Sequence, residues 1–519
     1  MLPPASIKQK IWLRTFVVSG LGLKLRRLRR LSLDLKLPPM PDLRHSSAAS
    51  RTVFSLIDHP TTGSKSHLEP RLGRLQASGR HEPDDSEHGR LGLETPEVVR
   101  STNSGAIPYL TPDNLVKQTS SLSVLHLALK HFCTHADTPP SFVDAPYSLH
   151  SYIGLGNQSQ RRFLVMMGLR EADDEAILPP NGGSYVSISS LRGTHNLKVD
   201  DFIRYSLSHP PDILLSLSDQ PTHPNPGNNR LKASLDRSLD WLNKLITLNH
   251  GRVSIFAEIV GSPNPILVRA FCNQLNIQTS SSTGKTLDHH LAGYAFHLAP
   301  LRKTIPVFES KDIDGENRSI SSLIKIAYQT LRSDRCRVIL GARGPHEILK
   351  LIKDLGVDLF VDDWTSDLST SGVALTFRFG RDLLNVSNQL GPLEPIGLNL
   401  FEEQFATDFA PLDLVEATPP ITRAYIHHLL HTHELSAHVY LSIHNHNAMS
   451  SFTKQIRSLL SQDSYAFYKA VERFYATYES IPPGFQRYQV HESAKQMSKS
   501  VEAKRGKGRT FAVTPTSKS

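Results

Sequence analysis

Short apolar runs alternate with amphipathic segments along the second half of the chain. The run "DILLSLSD" at 212–219 is followed, after a Pro/Gly/Asn-rich loop, by a segment at 229–248 with leucine or isoleucine at every third or fourth position. These residues are Leu231, Leu235, Leu239, Leu242 and Ile246. Because this spacing puts them on one face of a helix, the pattern predicts a strand followed by a helix with one apolar face.

The same strand-then-helix unit recurs further along the chain. "RVSIFAEIVG" precedes "NPILVRAFCNQLN", and "CRVILGARG" precedes "PHEILKLIKDLG", whose initial proline and final Gly356 are typical of helix entry and exit. Another apolar run, "VDLFV", follows. The alternation predicts an α/β fold with a parallel sheet covered by helices. We expect a (β/α)8 TIM barrel rather than an open sheet, because no glycine-rich phosphate loop follows an early strand.

Composition divides the chain into three parts. Residues 1–52 are predicted to be a basic, disordered extension, and 481–519 a basic, disordered tail. Between them, 53–480 are predicted to hold short N-terminal strands, the barrel and a C-terminal helical subdomain at about 411–480. Apolar and aromatic positions at 450–479 keep a helical spacing with a break around "SQDS", which predicts two helices packed on the barrel or on a partner.

The charge of the chain favours an anionic partner. Its 519 residues carry a formal net charge of +9, with a pI near 9.3. A nucleic acid or a membrane surface fits that balance, although solvated basic ends explain much of the excess equally well. The first 33 residues contain no acid and several arginines. That composition is typical of a mitochondrial transit peptide, with a disordered extension as the alternative.

The cysteines and the apolar runs indicate a reducing, cytoplasmic setting. Cys133, Cys272 and Cys336 are odd in number and far apart, so they build neither a disulfide framework nor a Cys-x-x-Cys metal knuckle. The longest apolar run, "FVVSGLGL", is far shorter than the ~20 residues that cross a bilayer. We therefore expect no integral membrane association.

Carboxylates follow two of the predicted strands. Asp362, Asp363 and Asp367 come after "VDLFV", and Asp219 ends "DILLSLSD". In a (β/α)8 barrel the residues just past each strand form the rim of the active site, where a carboxylate can act as nucleophile or base. The alternative is that neighbouring acids point in different directions and only solvate a loop.

Two other segments resemble binding motifs. "SSSTGKTLD" has Thr279 where a phosphate loop needs its first glycine, so it does not predict a triphosphate site. Seven histidines lie between 415 and 447, and His427 and His431 are one helical turn apart, close enough to share a metal. The alternative is a helix with ordinary surface or half-buried histidines.

Several motifs together resemble the tRNA-guanine transglycosylase family. They are "ETPEVVRSTNSGAIPYLTPDNL", "KASLDRSLDWL", "VILGARGPHEILKLIKDLGVDLF", "GVALTF" and "TRAYIHHLLHTHEL". The resemblance runs from about residue 53 to about residue 480 and is strongest to the non-catalytic subunits of the eukaryotic enzyme. It implies a (β/α)8 fold and a role in replacing guanine by queuine at the wobble position of certain tRNA anticodons.

The resemblance also identifies where this chain departs from catalytic relatives. Those relatives carry one aspartate before Ser-Gly-Gly-Phe-Gln and a second directly after Asp-Leu-Phe, which attacks the ribose. Here Asn181 precedes Gly182, and Val361 follows "DLF". Asp362 comes one residue late, and because side chains alternate along a strand, the slip would aim it at the wrong face.

A zinc site is the remaining expectation from the resemblance. Family members bind a structural zinc through Cys-x-Cys-x-x-Cys and a histidine, and His444 matches that histidine. Counting back puts Asp413, Val415 and Thr418 at the thiolate positions. Zinc is therefore expected from the family, but without its cysteine ligands. Either the knuckle is lost or a coding segment is missing, and substitute ligands such as His427, His431 or Asp413 would need a rearranged loop.

These observations lead to three hypotheses. The first is a non-catalytic subunit that forms a heterodimer with a catalytic transglycosylase and helps to seat the tRNA, with no enzyme activity of its own. The second is an active transglycosylase that uses Asp362, with Asp219 as a further candidate. The third is a barrel that serves only as an RNA-binding scaffold, without a catalytic partner.

Overall fold

The computed structural model describes the chain between residues 51 and 482. Within these bounds it leaves out 58–67, 79–91, 119–122, 136–137, 156–162, 175, 177, 191, 221–225, 281, 303–304, 306, 308–318, 381–391, 413–420 and 463. The predicted extension, its transit-peptide interpretation and the predicted tail lie outside the described residues, apart from the last two residues of the extension and the first two of the tail. The first strand begins at Arg51.

Strands and helices alternate through the described chain. The strands are β1 (Arg51–Leu56), β2 (Gly73–Ser78), β3 (Gly92–Thr95), β4 (Glu97–Ser101), β5 (Ser123–Ala128), β6 (Phe163–Gly168), β7 (Tyr185–Ser190), β8 (Gly193–Lys198), β9 (Ile213–Leu215), β10 (Ser254–Ile259), β11 (Leu291–His297), β12 (Cys336–Leu340), β13 (Leu359–Asp362), β14 (Val373–Leu375) and β15 (Gly397–Asn399). The α-helices are α1 (Pro112–Gln118), α2 (Leu149–Tyr152), α3 (Val199–Ser208), α4 (Asn228–Asn249), α5 (Pro265–Ile277), α6 (Ala299–Arg302), α7 (Ile320–Thr330), α8 (Gly344–Leu355), α9 (Trp364–Thr370), α10 (Arg423–His431), α11 (Leu435–Gln462) and α12 (Ser464–Thr477).

Eight parallel strands close into a barrel. In chain order they are β4, β5, β6, β9, β10, β11, β12 and β13, and β13 pairs with β4 to complete the ring. Their side chains are almost all buried, as expected for parallel strands covered on both faces. The predicted (β/α)8 barrel is confirmed.

Alternation along each barrel strand separates two apolar cores. On β13, Leu359 and Val361 belong to a cluster inside the barrel, whereas Phe360 belongs to the cluster between the barrel and its helices. The antiparallel sheet β1–β2–β3 lies at the amino-terminal end of the strands and adds Leu75 and Leu93 to the inner cluster. Barrel and N-terminal sheet therefore share one interior.

The helices follow their predicted positions closely. The segment predicted at 229–248 is α4, and α8 ends at Gly356, whose φ of +57° is the left-handed conformation that glycine adopts most easily. The two predicted C-terminal helices are α11 and α12, although α11 begins well before residue 450. None of the described helices is long and apolar enough to cross a bilayer.

Candidate functional site

The carboxyl-terminal ends of the barrel strands, called the barrel mouth below, are where a barrel of this kind places its chemistry. On β13 the residue that faces into the barrel at this end is Val361, which is fully buried in the inner cluster. Its pairing with Val99 on β4 and Leu340 on β12 continues the regular register of the strand. No bulge therefore shifts the next residue inward.

Asp362 lies on the outer face of the barrel. It is the cross-strand partner of Arg100, whose guanidinium donates to Ser450 Oγ on α11 at 3.0 Å. Asp362 Oδ1 accepts a hydrogen bond from the Thr365 backbone amide at 3.0 Å. Burial raises the pKa of Asp362 to about 7. Asp362 thus lies between the barrel wall and the helices, away from the barrel mouth.

The next residue, Asp363, does lie at the mouth. Its Oδ2 accepts a hydrogen bond from the Asp173 backbone amide at 2.9 Å. Burial raises its pKa. The Asp173 carboxylate pairs with the Arg343 guanidinium through two contacts of 2.9 and 3.0 Å from Nη2. Asp367 lies further on, in the first turn of α9, where it is half-buried.

A second set of ion pairs occupies the mouth between β5 and β6. Lys130 Nζ donates to Glu171 at 3.0 Å and to Asp174 at 2.8 Å, and His131 also contacts Glu171. Burial would raise the pKa of Glu171, but His131 and Lys130 together lower it to about 2. Lys130 pairs with both carboxylates and favours their ionised form, so they are poor proton acceptors.

Asp219 forms the most fully paired carboxylate of the mouth. It is completely buried and receives Arg230 through both oxygens, at 2.7 and 2.6 Å, and Arg237 at 2.9 Å. Burial alone would raise its pKa, but the arginines and Asn181 outweigh that effect and lower it. Asp219 is therefore a permanent anion that anchors two arginines.

Asn181 is part of the same cluster. Its Nδ2 donates to Asp219 Oδ1 at 2.6 Å, and its Oδ1 accepts from the Ser187 amide at 2.9 Å. An aspartate here would place two carboxylates against each other, which is strongly unfavourable in a buried site. The amide therefore suits this site, whereas the acid that the family resemblance implies for catalysis would not.

The histidines make hydrogen bonds to backbone carbonyls. His444 is buried, and its Nε2 bonds Leu375 O at 2.7 Å. His427 Nδ1 bonds Leu400 O at 3.0 Å, and His431 Nδ1 bonds His427 O at 3.0 Å. Positions 413, 415 and 418 lie outside the described residues. Among those described, no three His, Cys, Asp or Glu side chains converge on a metal position.

Lys130, Glu171, Asp173 and Arg343 had not been singled out in the sequence. Their position in the sequence could have identified them, because each follows a barrel strand within a few residues. Arg230 and Arg237 gave no comparable signal, since they lie on α4 and reach the mouth only through the way that helix packs.

Comparison with known proteins agrees with this geometry. The family model for queuine tRNA-ribosyltransferase matches residues 67–480. The chain belongs to this family, and the resemblance seen in its motifs is confirmed.

Individual relatives carry a more specific name. The queuine tRNA-ribosyltransferase accessory subunit 2 of Schizosaccharomyces pombe is 26% identical over 381 residues, covering 72% of this chain and 76% of the relative. Proteins of the same name from Drosophila grimshawi and Drosophila pseudoobscura pseudoobscura are 25% and 27% identical, each covered over 87% of its length, and they span 72% and 76% of this chain.

Proposed function

We propose that this protein is the non-catalytic accessory subunit of a queuine tRNA-ribosyltransferase. It would act with a catalytic subunit that exchanges guanine for queuine at the wobble position of tRNA. The observation that carries the proposal is Val361, an apolar side chain facing into the barrel where the attacking carboxylate of catalytic relatives is expected. The names of the relatives support it.

The geometry also argues against the nearest substitute. Asp362 is on the outer face of β13, and its carboxylate would have to cross the barrel wall to reach a ribose at the mouth. Asp219 is inside, but its two oxygens already accept four hydrogen bonds from Arg230, Arg237 and Asn181. Neither carboxylate is available for nucleophilic attack.

A base-exchange assay tests the proposal. Labelled guanine is offered with wobble-guanine tRNA to the purified chain, to the catalytic subunit of the same organism, and to their mixture. We expect exchange in the mixture and none above background from this chain alone. Asp362→Asn in the mixture should leave the rate within about twofold, because that side chain contacts no substrate. Exchange by the chain alone, abolished by Asp362→Asn, would refute the proposal.

An exposed apolar surface around α10 is the surface that we assign to the catalytic subunit. Phe409 and Leu435 are 74% and 64% exposed, and Tyr425 is 47% exposed. The Ala424 amide donates to Asp408 O at 2.8 Å, so the segment that carries Phe409 runs beside the start of α10. Exposed aromatic side chains grouped in this way are typical of the centre of a protein interface.

Replacing Phe409 and Tyr425 together by serine should weaken binding of the catalytic subunit about tenfold or more, since buried aromatics dominate interface energies. Ile266→Ser, at a 75% exposed position on α5, is the matched control and should leave the Kd within about twofold. Calorimetry of the two purified subunits measures both. Equal affinities for the double variant and the control would place the interface elsewhere.

A further inference from the structure

A basic cavity lies at the amino-terminal end of the barrel, opposite the mouth. It has a volume of about 430 Å3 and is bordered by the first residues of β10 and β11, the end of α4, and β1. The Thr52 amide donates to Ser254 Oγ at 2.8 Å, so the N-terminal sheet forms one wall. A cavity of this size accommodates a small molecule.

Four side chains with basic nitrogens line this cavity: Lys285, His289, His290 and Arg335. Lys285 Nζ donates to His289 Nε2 at 3.1 Å, and the two histidine rings are 5.5 Å apart. No carboxylate is among the described residues that line the cavity. Burial, and then His289 and Lys285, lower the pKa of His290. Basic groups are therefore crowded together in a lining that contains no carboxylate.

Arg335 adds an independent observation. Its Nε is buried and has no hydrogen-bond partner among the described residues. Two acids at this end of the barrel already have partners, because Asp334 pairs with Arg332 at 2.6 Å and Asp358 pairs with Arg71. A buried, unpaired guanidinium nitrogen is costly unless a ligand supplies an acceptor.

The loop "TGKT" contributes side chains to the cavity but is not a phosphate loop. The Ser280 amide donates to Lys285 O at 2.8 Å, and the Gly284 amide donates to Ser280 O at 2.9 Å. These amides are used inside the turn and cannot curl around an anion as a phosphate loop does. Any anion here is bound by side chains, namely Lys285, His289, His290 and Arg335.

We propose that this cavity binds a phosphate group, at a site separate from the barrel mouth. Arg335 and Lys285 would supply charge-assisted hydrogen bonds to its oxygens. The rest of the lining includes apolar side chains that suit a sugar or a base attached to the phosphate: Val53, Ile246, Val253, Ile255, Leu291 and Ala292. The phosphate comes either from a free mononucleotide or from the backbone of an RNA.

Titration of the full chain with inorganic phosphate, against chloride at equal ionic strength, tests the site by calorimetry. Lys285→Gln should weaken phosphate binding about fivefold and Arg335→Gln about tenfold or more. Lys325→Gln, an exposed lysine on α7, is the control and should change nothing. Because Lys285 is exposed, its variant is expected to fold even if Arg335→Gln does not.

Two further titrations distinguish a free mononucleotide from an RNA backbone as the source of the phosphate. Guanosine monophosphate binding more tightly than phosphate, with the same dependence on Lys285, assigns the site to a free nucleotide. Displacement of phosphate by an RNA oligomer without terminal phosphates assigns it to the RNA backbone. Absence of phosphate-dependent heat, or equal binding by Lys285→Gln and Lys325→Gln, would overturn the proposal.

Discussion

Replacing Asp219 by asparagine should lower the free energy of unfolding by about 3 kcal/mol. The two carboxylate oxygens accept four hydrogen bonds, three of them from Arg230 and Arg237. Asparagine keeps one acceptor oxygen and turns an amide donor toward a guanidinium. It therefore leaves the charge of two arginines without compensation in a buried site.

Urea unfolding monitored by circular dichroism measures the loss. Asp236→Asn is the matched control, because Asp236 is exposed on the same helix as both arginines, and its replacement should cost less than about 0.5 kcal/mol. A loss as small as that of the control would mean that the cluster is not a stabilising anchor. Asp219→Asn should also move the side chains around Asn181, and the ring-current shifts of nearby aromatic residues report that movement.

Replacing Asp362 by asparagine should raise the free energy of unfolding. Burial raises the pKa of Asp362 from its usual 3.8 to about 7 in the folded protein. Below about pH 4 the acid is neutral in both states and costs nothing. As pH rises toward 7 the unfolded chain ionises first, so the wild type loses stability. Above pH 7 the loss is complete, at about 4 kcal/mol for a shift of this size.

Asp362→Asn removes that loss, so it should stabilise the protein at pH 8 by up to about 4 kcal/mol and have little effect at pH 4. Unfolding free energies of variant and wild type are compared at both pH values. Asp240→Asn, at an exposed position on α4, controls for removal of a charge. A variant that is equally stable or less stable than the wild type at pH 8 would show that Asp362 has a charged partner when folded.

The two carboxylates illustrate how burial and ion pairing decide the state of the acids in this barrel. Three of the acids at its mouth are matched to cations: Asp219 to two arginines, Asp173 to Arg343, and Glu171 to Lys130. A nucleophile needs a free oxygen lone pair directed at the substrate. In this barrel the paired carboxylates stabilise the mouth, and the strand position nearest a substrate is apolar.

The sequence alone determined the alternation of strands and helices, because the periodicities of apolar residues at two and at three to four positions are local properties of the chain. The sequence was sufficient to predict α4, the end of α8 at Gly356 and the barrel itself. It was also sufficient for the family, because the motifs are contiguous. The sequence alone also showed that position 361 is a valine and not an acid, because the motif around it is contiguous.

Only the tertiary structure decided which side chains meet. Arg230 and Arg237 reach Asp219 because α4 packs beside the end of β9, and Lys285 and Arg335 share a cavity although 50 residues separate them. The face that Asp362 occupies depended on the register of β13 against β4 and β12, which a bulge would have reversed. Hydrogen bonds and ion pairs between distant segments depend on packing geometry, and residue spacing along the chain does not encode that geometry.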